Sequence, residues 1–443
     1  MSYNYNEVIN IIQNTRRFGN FTGYEVSKHM LEQLGNPQSG IPFVHVAGTN
    51  GKGSTTAFLC KILEQTGKKV GMFTSPHLIT FEERIRINGT YISKDDVTRL
   101  GNQLLSMEFE MSPTMFDYCL AMAVLYFKEQ QCDIMVIETG IGGRYDSTNA
   151  LGIPEAAVIT KIGLDHTAIL GETIEEIAGE KAGIIKKGCP VIMHAQQASV
   201  REVLREEYEK INPACEAFYE VTQEGLDYAA SLPMKMPLGY QIENAATAIL
   251  TAEVLFKKWN ENGWLLTSQK KQEQVIENGV AQTFWKGRME IVNQNPFFMI
   301  DGAHNAHGVH ALAMSLAELY PGEKFHFIMG VMADKDYEEM IEELLPLAID
   351  FITVTPESSR ALQSKDLAEC ISKKGVKARY AEHMEEVIRP LLPQKTCVED
   401  VTRIKVEDKD VHIYLVDTQY KIVAFGSLYF IGAIEAMIEK NNK

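Results

Sequence analysis

The chain has 443 residues, 45% hydrophobic and 23% charged, with a formal net charge of −16. That length is more than one ordinary core accommodates and points to two or three domains of a soluble globular protein. So acidic a chain is not a general nucleic-acid binder, because no basic field draws phosphates in; if it handles anions, lysines, arginines and metal ions must supply the positive charge locally.

In chain order, the start MSYNYNEVIN shows no basic stretch followed by an apolar one, and no later apolar run nears the roughly 18 residues of a membrane span. A cytoplasmic protein without a membrane partner is expected. Phe43 to Ala47 reads as a buried strand, followed by a Gly-rich loop and a helix from about Thr55 to Gln65. Strand-like runs recur at Lys69–Thr74, Asp133–Thr139, Ala156–Thr160 and Pro190–His194. Helical patterns lie between them at about Lys94–Ser106, Met115–Lys128, Ile174–Lys187 and Val200–Ile211. This alternation predicts a mostly parallel sheet with helices on both faces. Ser231–Leu238, with two prolines, reads as a loop inside this first domain. A second series begins near Arg288, with strands at Phe297–Ile300, Phe325–Met329, Phe351–Thr355 and Ile422–Phe425 and helices at about Val309–Leu319, Tyr337–Leu345 and Lys365–Lys373. The expected organisation is therefore α/β throughout: a larger domain with a mostly parallel sheet and the Gly-rich loop over 1–283, and a smaller Rossmann-like domain over 287–443. The polar stretch Thr396–Gln419 fits neither pattern, and a hairpin is one option for it. The seven cysteines form no CxxC and no metal-ligand spacing, as in a reducing compartment.

The chemistry is concentrated in Gly48-Thr49-Asn50-Gly51-Lys52-Gly53-Ser54-Thr55, which follows a strand and opens a helix. Glycines let backbone N–H groups turn toward phosphate oxygens, and the helix N-terminus adds the positive end of its dipole. Lys52 supplies a point charge for the β and γ phosphates, and Ser54 or Thr55 a hydroxyl for phosphate or magnesium. The usual spacing places a further glycine where Val46 stands, so the loop is a shortened variant. Glu138 ends a predicted strand at the edge where open α/β sheets bind ligands, and its carboxylate suits magnesium beside the ATP phosphates.

GTNGKGS resembles the phosphate loop of the Mur ligase superfamily, and the glycine after the lysine resembles the folylpolyglutamate synthase and dihydrofolate synthase branch. Thr74-Ser75-Pro76-His77-Leu78 and Glu83-Arg84-Ile85-Arg86-Ile87-Asn88-Gly89 are similar to that family's loop beside the folate site. Gly140-Ile141-Gly142-Gly143-Arg144-Tyr145-Asp146-Ser147-Thr148-Asn149 is similar to its Gly-rich acidic motif. Gly163-Leu164-Asp165-His166-Thr167, Glu180-Lys181-Ala182-Gly183-Ile184-Ile185-Lys186, Asp301-Gly302-Ala303-His304-Asn305 and Gly426-Ser427-Leu428-Tyr429 follow in the family's order. Departures are Tyr240 for a usual His, Asp117 for Glu, Tyr145 for Leu and Ala306 for Pro.

The resemblance implies an ATP-dependent ligase that adds L-glutamate to the γ-carboxylate of a folate through an acyl phosphate, alone or together with formation of dihydrofolate from dihydropteroate. It implies ATP bound by Asn50, Gly51, Lys52, Gly53, Ser54, Thr55, Asn244 (adenine), Arg288 (phosphates) and Asp301 (ribose). Two magnesium ions are implied, with Ser75, Glu138, His166 and Lys181 as ligands, Lys181 having reacted with carbon dioxide to give an anionic carbamate. Lys52, Lys181 and His304 are the catalytic candidates, and Pro76, His77, Arg84, Phe116 and Asp146 the candidates for the acceptor. Phe81, His77 and Phe116 suit a flat pterin, and Arg84 and Arg86 its carboxylates. Closure of the second domain is expected to keep water from the acyl phosphate. The partners expected are small molecules only, acting on a monomer. Two other readings stay open: a Mur-type ligase acting on a cell-wall precursor, against which stand the mere 47 residues ahead of Gly48, and a P-loop kinase or NTPase, which leaves Asp301-Gly302-Ala303-His304-Asn305 unexplained.

Overall fold

A computed structural model describes residues 2–15, 23–213, 217–236, 239–264, 268–393, 402–406, 409–413 and 421–442, the last two strands before residue 421 as backbone only. The chain forms two compact units: Met1–Lys235 with Gln241–Phe284, and Met236–Tyr240 with Trp285–Lys443.

The first unit opens with helices α1 (Tyr5–Asn14) and α2 (Glu25–Gln33). Then come β1 (Phe43–Ala47), α3 (Lys52–Glu64), β2 (Val70–Phe73), β3 (Ile85–Ile87), β4 (Thr90–Tyr91), α4 (Lys94–Leu105), α5 (Met115–Glu129), β5 (Ile134–Glu138) and β6 (Ala156–Ile159). The run continues with α6 (Thr167–Leu170), α7 (Ile174–Lys181), β7 (Val191–Met193), α8 (Ala198–Ile211), β8 (Phe218–Glu220), α9 (Gln223–Ser231), α10 (Tyr240–Glu261) and α11 (Gln269–Gln282). Its eight strands lie in the order β4-β3-β2-β5-β1-β6-β7-β8. From β2 to β8 all neighbours are parallel. At the other end of the sheet, β2–β3 and β3–β4 pair antiparallel. Every residue of β1, β2, β5, β6 and β7 is buried, which is what helices on both faces of a parallel sheet demand and why these strands read as unbroken apolar runs.

The second unit carries β9 (Glu290–Gln294), β10 (Phe297–Ile300), α12 (Ala306–Leu319), β11 (Phe325–Met329), α13 (Tyr337–Leu344), β12 (Ala348–Thr353), α14 (Ser364–Lys373), β13 (Ala378–Tyr380), α15 (Met384–Ile388), β14 (Thr402–Val406), β15 (Lys409–Ile413), β16 (Lys421–Phe425) and α16 (Leu428–Asn442). Six strands form a sheet in the order β13-β12-β11-β16-β10-β9, parallel except for β9. One apolar cluster, around Phe327 and Phe351, covers one face, and another, around Phe298 and Phe430, covers the other. The α/β class expected from the alternation of patterns is borne out. In the polar stretch between β13 and β16, β14 and β15 pair antiparallel with each other.

Two local differences from the sequence reading have physical causes. The helix expected to run to Lys187 stops at Lys181, followed by a short 3-10 turn over Ala182–Ile184. There the chain meets the Gly140–Asn149 loop: Arg144 N donates to Glu180 O at 2.7 Å, and a Cβ on Gly183 would lie 2.1 Å from Arg144 Cα. The segment Met236–Tyr240 groups with the second unit although the chain on either side belongs to the first. Tyr240 N donates to Ser315 Oγ at 3.0 Å and its hydroxyl to Asp301 Oδ2, which holds this turn to α12 and the end of β10.

Among the described residues, no helix is long and apolar enough to cross a membrane.

Because backbone rather than a flexible side chain meets Gly183, Gly183→Ala is expected to lower unfolding free energy by about 1–3 kcal/mol, the usual range for overpacking. Denaturant titration checks this: a midpoint equal to wild type at equal m-value would show that the loop yields freely.

Candidate active site

The parallel strands of the first unit bring four chain segments to one sheet edge. In register, Phe73 pairs with Ile137, Val46 with Glu138, and Ala47 with Ile159. Ser75, Glu138, Gly48 and Thr160 therefore stand side by side at the carboxyl ends of β2, β5, β1 and β6, where open α/β sheets bind ligands.

The phosphate loop is anchored from below. Thr49 N and Asn50 N both donate to Lys161 O, and Thr160 Oγ1 donates to Asn50 O at 2.8 Å. Gly51, at φ +87°, is the N-cap of α3. A side chain here would face both that left-handed conformation and Asn244 Oδ1, 2.3 Å from a Cβ at this site. The first N–H groups of α3 lack intrahelical acceptors and make the anion-binding end of the loop. Lys52 folds back on the loop, with Nζ donating to Gly48 O at 3.0 Å and Thr49 O at 3.1 Å. Thr55 is fully buried and its hydroxyl points to Asn244 Oδ1 at 3.4 Å. Ser54 is buried as well, one residue nearer the start of α3. Asn244, also buried, gives its amide nitrogen to Gln241 Oε1 at 3.0 Å, so it braces the loop from α10.

Lys181 is 4% exposed, and its Nζ donates to the same Gly48 carbonyl at 2.8 Å. Burial, and next the Lys52 ammonium, push its pKa down from 10.5 to about 7, against the smaller upward pull of Asp165 and Asp146. Glu138 is 4% exposed, and its Oε2 accepts the Ser75 backbone N–H at 3.1 Å. His166 opens α6 in the left-handed region at φ +52°, with an exposed side chain. Among the described residues no three His, Cys, Asp or Glu side chains converge as a metal cluster. Of the four magnesium candidates, Ser75 and Glu138 meet each other while Lys181 meets the phosphate loop. A buried carboxylate beside a hydroxyl residue, next to helix N–H groups, is a hard-oxygen donor set that fits magnesium.

The acceptor candidates form two groups. Glu83 accepts N–H from Leu78, Ile79 and Thr80 and so holds the Thr74–Leu78 loop closed. Arg84 is buried, not on a solvated face, and its Nε donates to His77 Nδ1 at 2.8 Å. Burial, and next Arg84, lower the His77 pKa to about 4, so this imidazole is neutral near pH 7. Arg86 donates to Glu83 O and lies over the Tyr91 ring. Pro76 is exposed beside them. In the other group, Phe116 packs on Phe73 (ring centroids 5.6 Å apart) and over Gly140. Asp146 is buried: its Oδ2 accepts Gly140 N and Ile141 N, both at 2.9 Å, and its Oδ1 accepts the N–H and hydroxyl of Thr148. These four donors hold the Asp146 carboxylate in place within the loop. Asp117 is treated alike, accepting Ser27, Ser147 and Thr114.

In the second unit Asp301 follows β10 and is 1% exposed. It accepts Tyr240 Oη and Met289 N on Oδ2 and Ala303 N on Oδ1; burial raises its pKa while Arg288 opposes the shift. The Arg288 guanidinium lies against Gly302, and His304 Nδ1 is 2.8 Å from Gly302 O. Sequence reasoning had missed Thr160, Gln241, His45 and Thr148. Thr160 and His45 belong to apolar strand runs, so their only signal is a polar residue where none is needed for packing.

Two sequence families match the chain: the Mur ligase middle domain over residues 46–252 and the Mur ligase glutamate ligase domain over 287–402. The dihydrofolate synthase/folylpolyglutamate synthase of Bacillus subtilis is 36% identical over 413 residues, 87% of this chain and 92% of that one. The folylpolyglutamate synthase of Lacticaseibacillus casei is 34% identical, over 81% and 87% of the two chains. An FPGS–AMPPCP–folate complex superposes with a TM-score of 0.75 at 28% identity, covering 98% of this chain and 100% of that one. The chain belongs to the folylpolyglutamate synthase/dihydrofolate synthase family of ATP-dependent ligases.

The depressed Lys181 pKa has a thermodynamic signature. Between about pH 7 and 10.5 the unfolded chain holds the proton that the folded chain has lost, so stability rises with pH across that window and the cost of burying the ammonium is full below it. In carbon-dioxide-free buffer, Lys181→Met is expected to flatten this rise. Equal slopes for the two proteins in denaturant titrations at stepped pH would place the Lys181 pKa in the ordinary range.

Proposed function

We propose that the enzyme joins L-glutamate to the γ-carboxylate of a reduced folate at the expense of ATP, and that the same site also serves dihydropteroate. The observation that carries this reading is the meeting of Lys52 and the buried Lys181 on the Gly48 carbonyl, at the sheet edge shared with Glu138. The B. subtilis relative's name covers both activities, and the folate complex supports the acceptor class.

A carboxylate oxygen of the acceptor, from the γ-carboxylate of a folate or the benzoate carboxylate of dihydropteroate, attacks the γ-phosphorus of ATP, and the bond to the ADP oxygen breaks. The α3 N–H groups and the Lys52 ammonium hold the phosphate oxygens and disperse the charge that develops. The amine of glutamate then attacks the acyl carbon, the tetrahedral intermediate expels phosphate, and the nitrogen loses its proton as the amide forms. Glu138 and Ser75, with His166, are the residues proposed to hold magnesium, which when bound neutralises phosphate charge. Lys181 in its neutral form is nucleophilic toward carbon dioxide, and its carbamate would give the magnesium site the negative charge that an ammonium cannot. Asn244 and Arg288 are assigned to the adenine and phosphates of ATP, Asp301 to its ribose, and His304 to the reaction centre. His77, Arg84, Pro76, Phe116 and Asp146 are assigned to the acceptor. Buried unpaired thiols at Cys60, Cys119, Cys132 and Cys189 support a cytoplasmic setting, and the working form is taken to be the monomer.

Phosphate release from ATP in the presence of glutamate tests the reading. Tetrahydrofolate and dihydropteroate should each stimulate it, and a muramyl peptide precursor should not; release with the muramyl compound alone would move the enzyme to the cell-wall branch.

Lys52→Ala should reduce kcat by about a hundred- to a thousandfold, the range for loss of one group stabilising a transition state, with an unchanged melting temperature. Turnover near wild type would remove Lys52 from the reaction.

A further inference from the structure

Beneath the Gly140–Asn149 loop lies a buried polar chain that no step above uses. His45 is fully buried in the middle of β1, three residues before Gly48. Its Nε2 is 2.7 Å from Thr148 Oγ1. The Thr148 hydroxyl donates to Asp146 Oδ1, and the other Asp146 oxygen accepts Gly140 N and Ile141 N. A threonine hydroxyl has one proton. With that proton committed to Asp146, its oxygen accepts from His45, which fixes the imidazole as the Nε2–H tautomer. Nδ1 is then an acceptor, and it is buried without a partner. A leucine or phenylalanine would fill this strand position with no orphaned atom, so packing alone does not call for an imidazole.

The loop that receives this chain also shapes the end of α7. Arg144 N donates to Glu180 O at 2.7 Å. A Cβ on Gly143 would lie 2.6 Å from Lys181 O, so the loop backbone seats directly on the residue whose amine reaches Gly48. Asn149 Nδ2 closes the loop on itself through Gly143 O and Arg144 O.

We infer that His45 is a positioning residue of the ligase: its Nε2–H, relayed through Thr148 to Asp146, sets the Gly140–Asn149 loop and thereby the place of Lys181. One strand thus fixes both partners of the Lys181 contact, Gly48 through the chain and the Lys181 backbone through the relay. The inference rests on the role proposed above for Lys181.

The test combines nitrogen-15 spectra of histidine-labelled and uniformly labelled protein with steady-state kinetics of four variants. Wild type should show His45 as the neutral Nε2–H tautomer. Thr148→Val should shift the amide signals of Gly140, Ile141 and Arg144. Thr148→Val and His45→Leu should lose about ten- to a hundredfold in kcat, as when a partner that orients a functional group is removed, with little change in KM for ATP. Thr148→Ser keeps the hydroxyl and His45→Gln keeps a side-chain N–H, so both should recover much of the loss. An Nδ1–H tautomer, or unmoved Gly140, Ile141 and Arg144 signals in folded Thr148→Val protein, would overturn the relay. So would a Thr148→Ser enzyme as slow as Thr148→Val. If His45→Leu fails to fold, the threonine pair decides the matter. If wild type shows no ligase activity the functional reading fails, while the tautomer and amide signals still decide the relay.

Discussion

Two lysine amines share one carbonyl oxygen, that of Gly48. Two ammonium ions held a few ångström apart repel strongly in a protein medium, by roughly 4 kcal/mol at 4 Å, and a buried ammonium loses its hydration as well. Lys52 sits half in water at the mouth of the loop, whereas Lys181 is enclosed. The conflict is therefore resolved on Lys181, which loses its proton near neutrality. A neutral amine donating to a main-chain carbonyl is stable there, and it is also a nucleophile. The same constraint that makes the fold tolerate Lys181 gives it reactivity at physiological pH.

Everything around this contact serves to hold backbone, not side chains, in place. The loop carrying Lys52 hangs on Lys161 O and Thr160. The end of α7 rests on Gly143, and Gly183 just beyond it meets Arg144; neither position admits a side chain. Asp146 and Asp117, the two buried carboxylates below, spend their acceptors on N–H and hydroxyl groups of the chain. Carboxylates so satisfied rigidify a loop, because any displacement leaves a buried charge short of donors. The second unit repeats the device on a smaller scale, where Asp301 gathers Tyr240, Met289 and Ala303 at the end of β10.

The parallel strands were readable because burial on both faces leaves long apolar runs, and the phosphate loop because glycine, lysine and hydroxyl residues at a strand-to-helix turn have few other uses. Shorter elements were not readable. The strands β3, β4 and β9, at or next to a sheet edge, are only two to five residues long and partly exposed, so they lack that signature. Residue type identified Lys52, Glu138 and Lys181 as candidates but not their contacts. Nothing in the sequence marks the donors that Asp146 gathers from its own loop, because the backbone path sets them. Tyr240 shows the same limit: nothing in its neighbours announces a hydroxyl bound to a carboxylate 61 positions away.

Lys181 is the residue through which the proposed reaction depends on the fold, and its chemical form is open to direct observation. Carbon-13 NMR of the enzyme with ATP and magnesium, equilibrated with labelled bicarbonate near neutral pH, reads that form. The account predicts a protein-bound carbamate signal that is absent from Lys181→Gln and fades as the pH falls below about 7. A wild-type spectrum with no such signal, from enzyme that turns over at full rate, would contradict it.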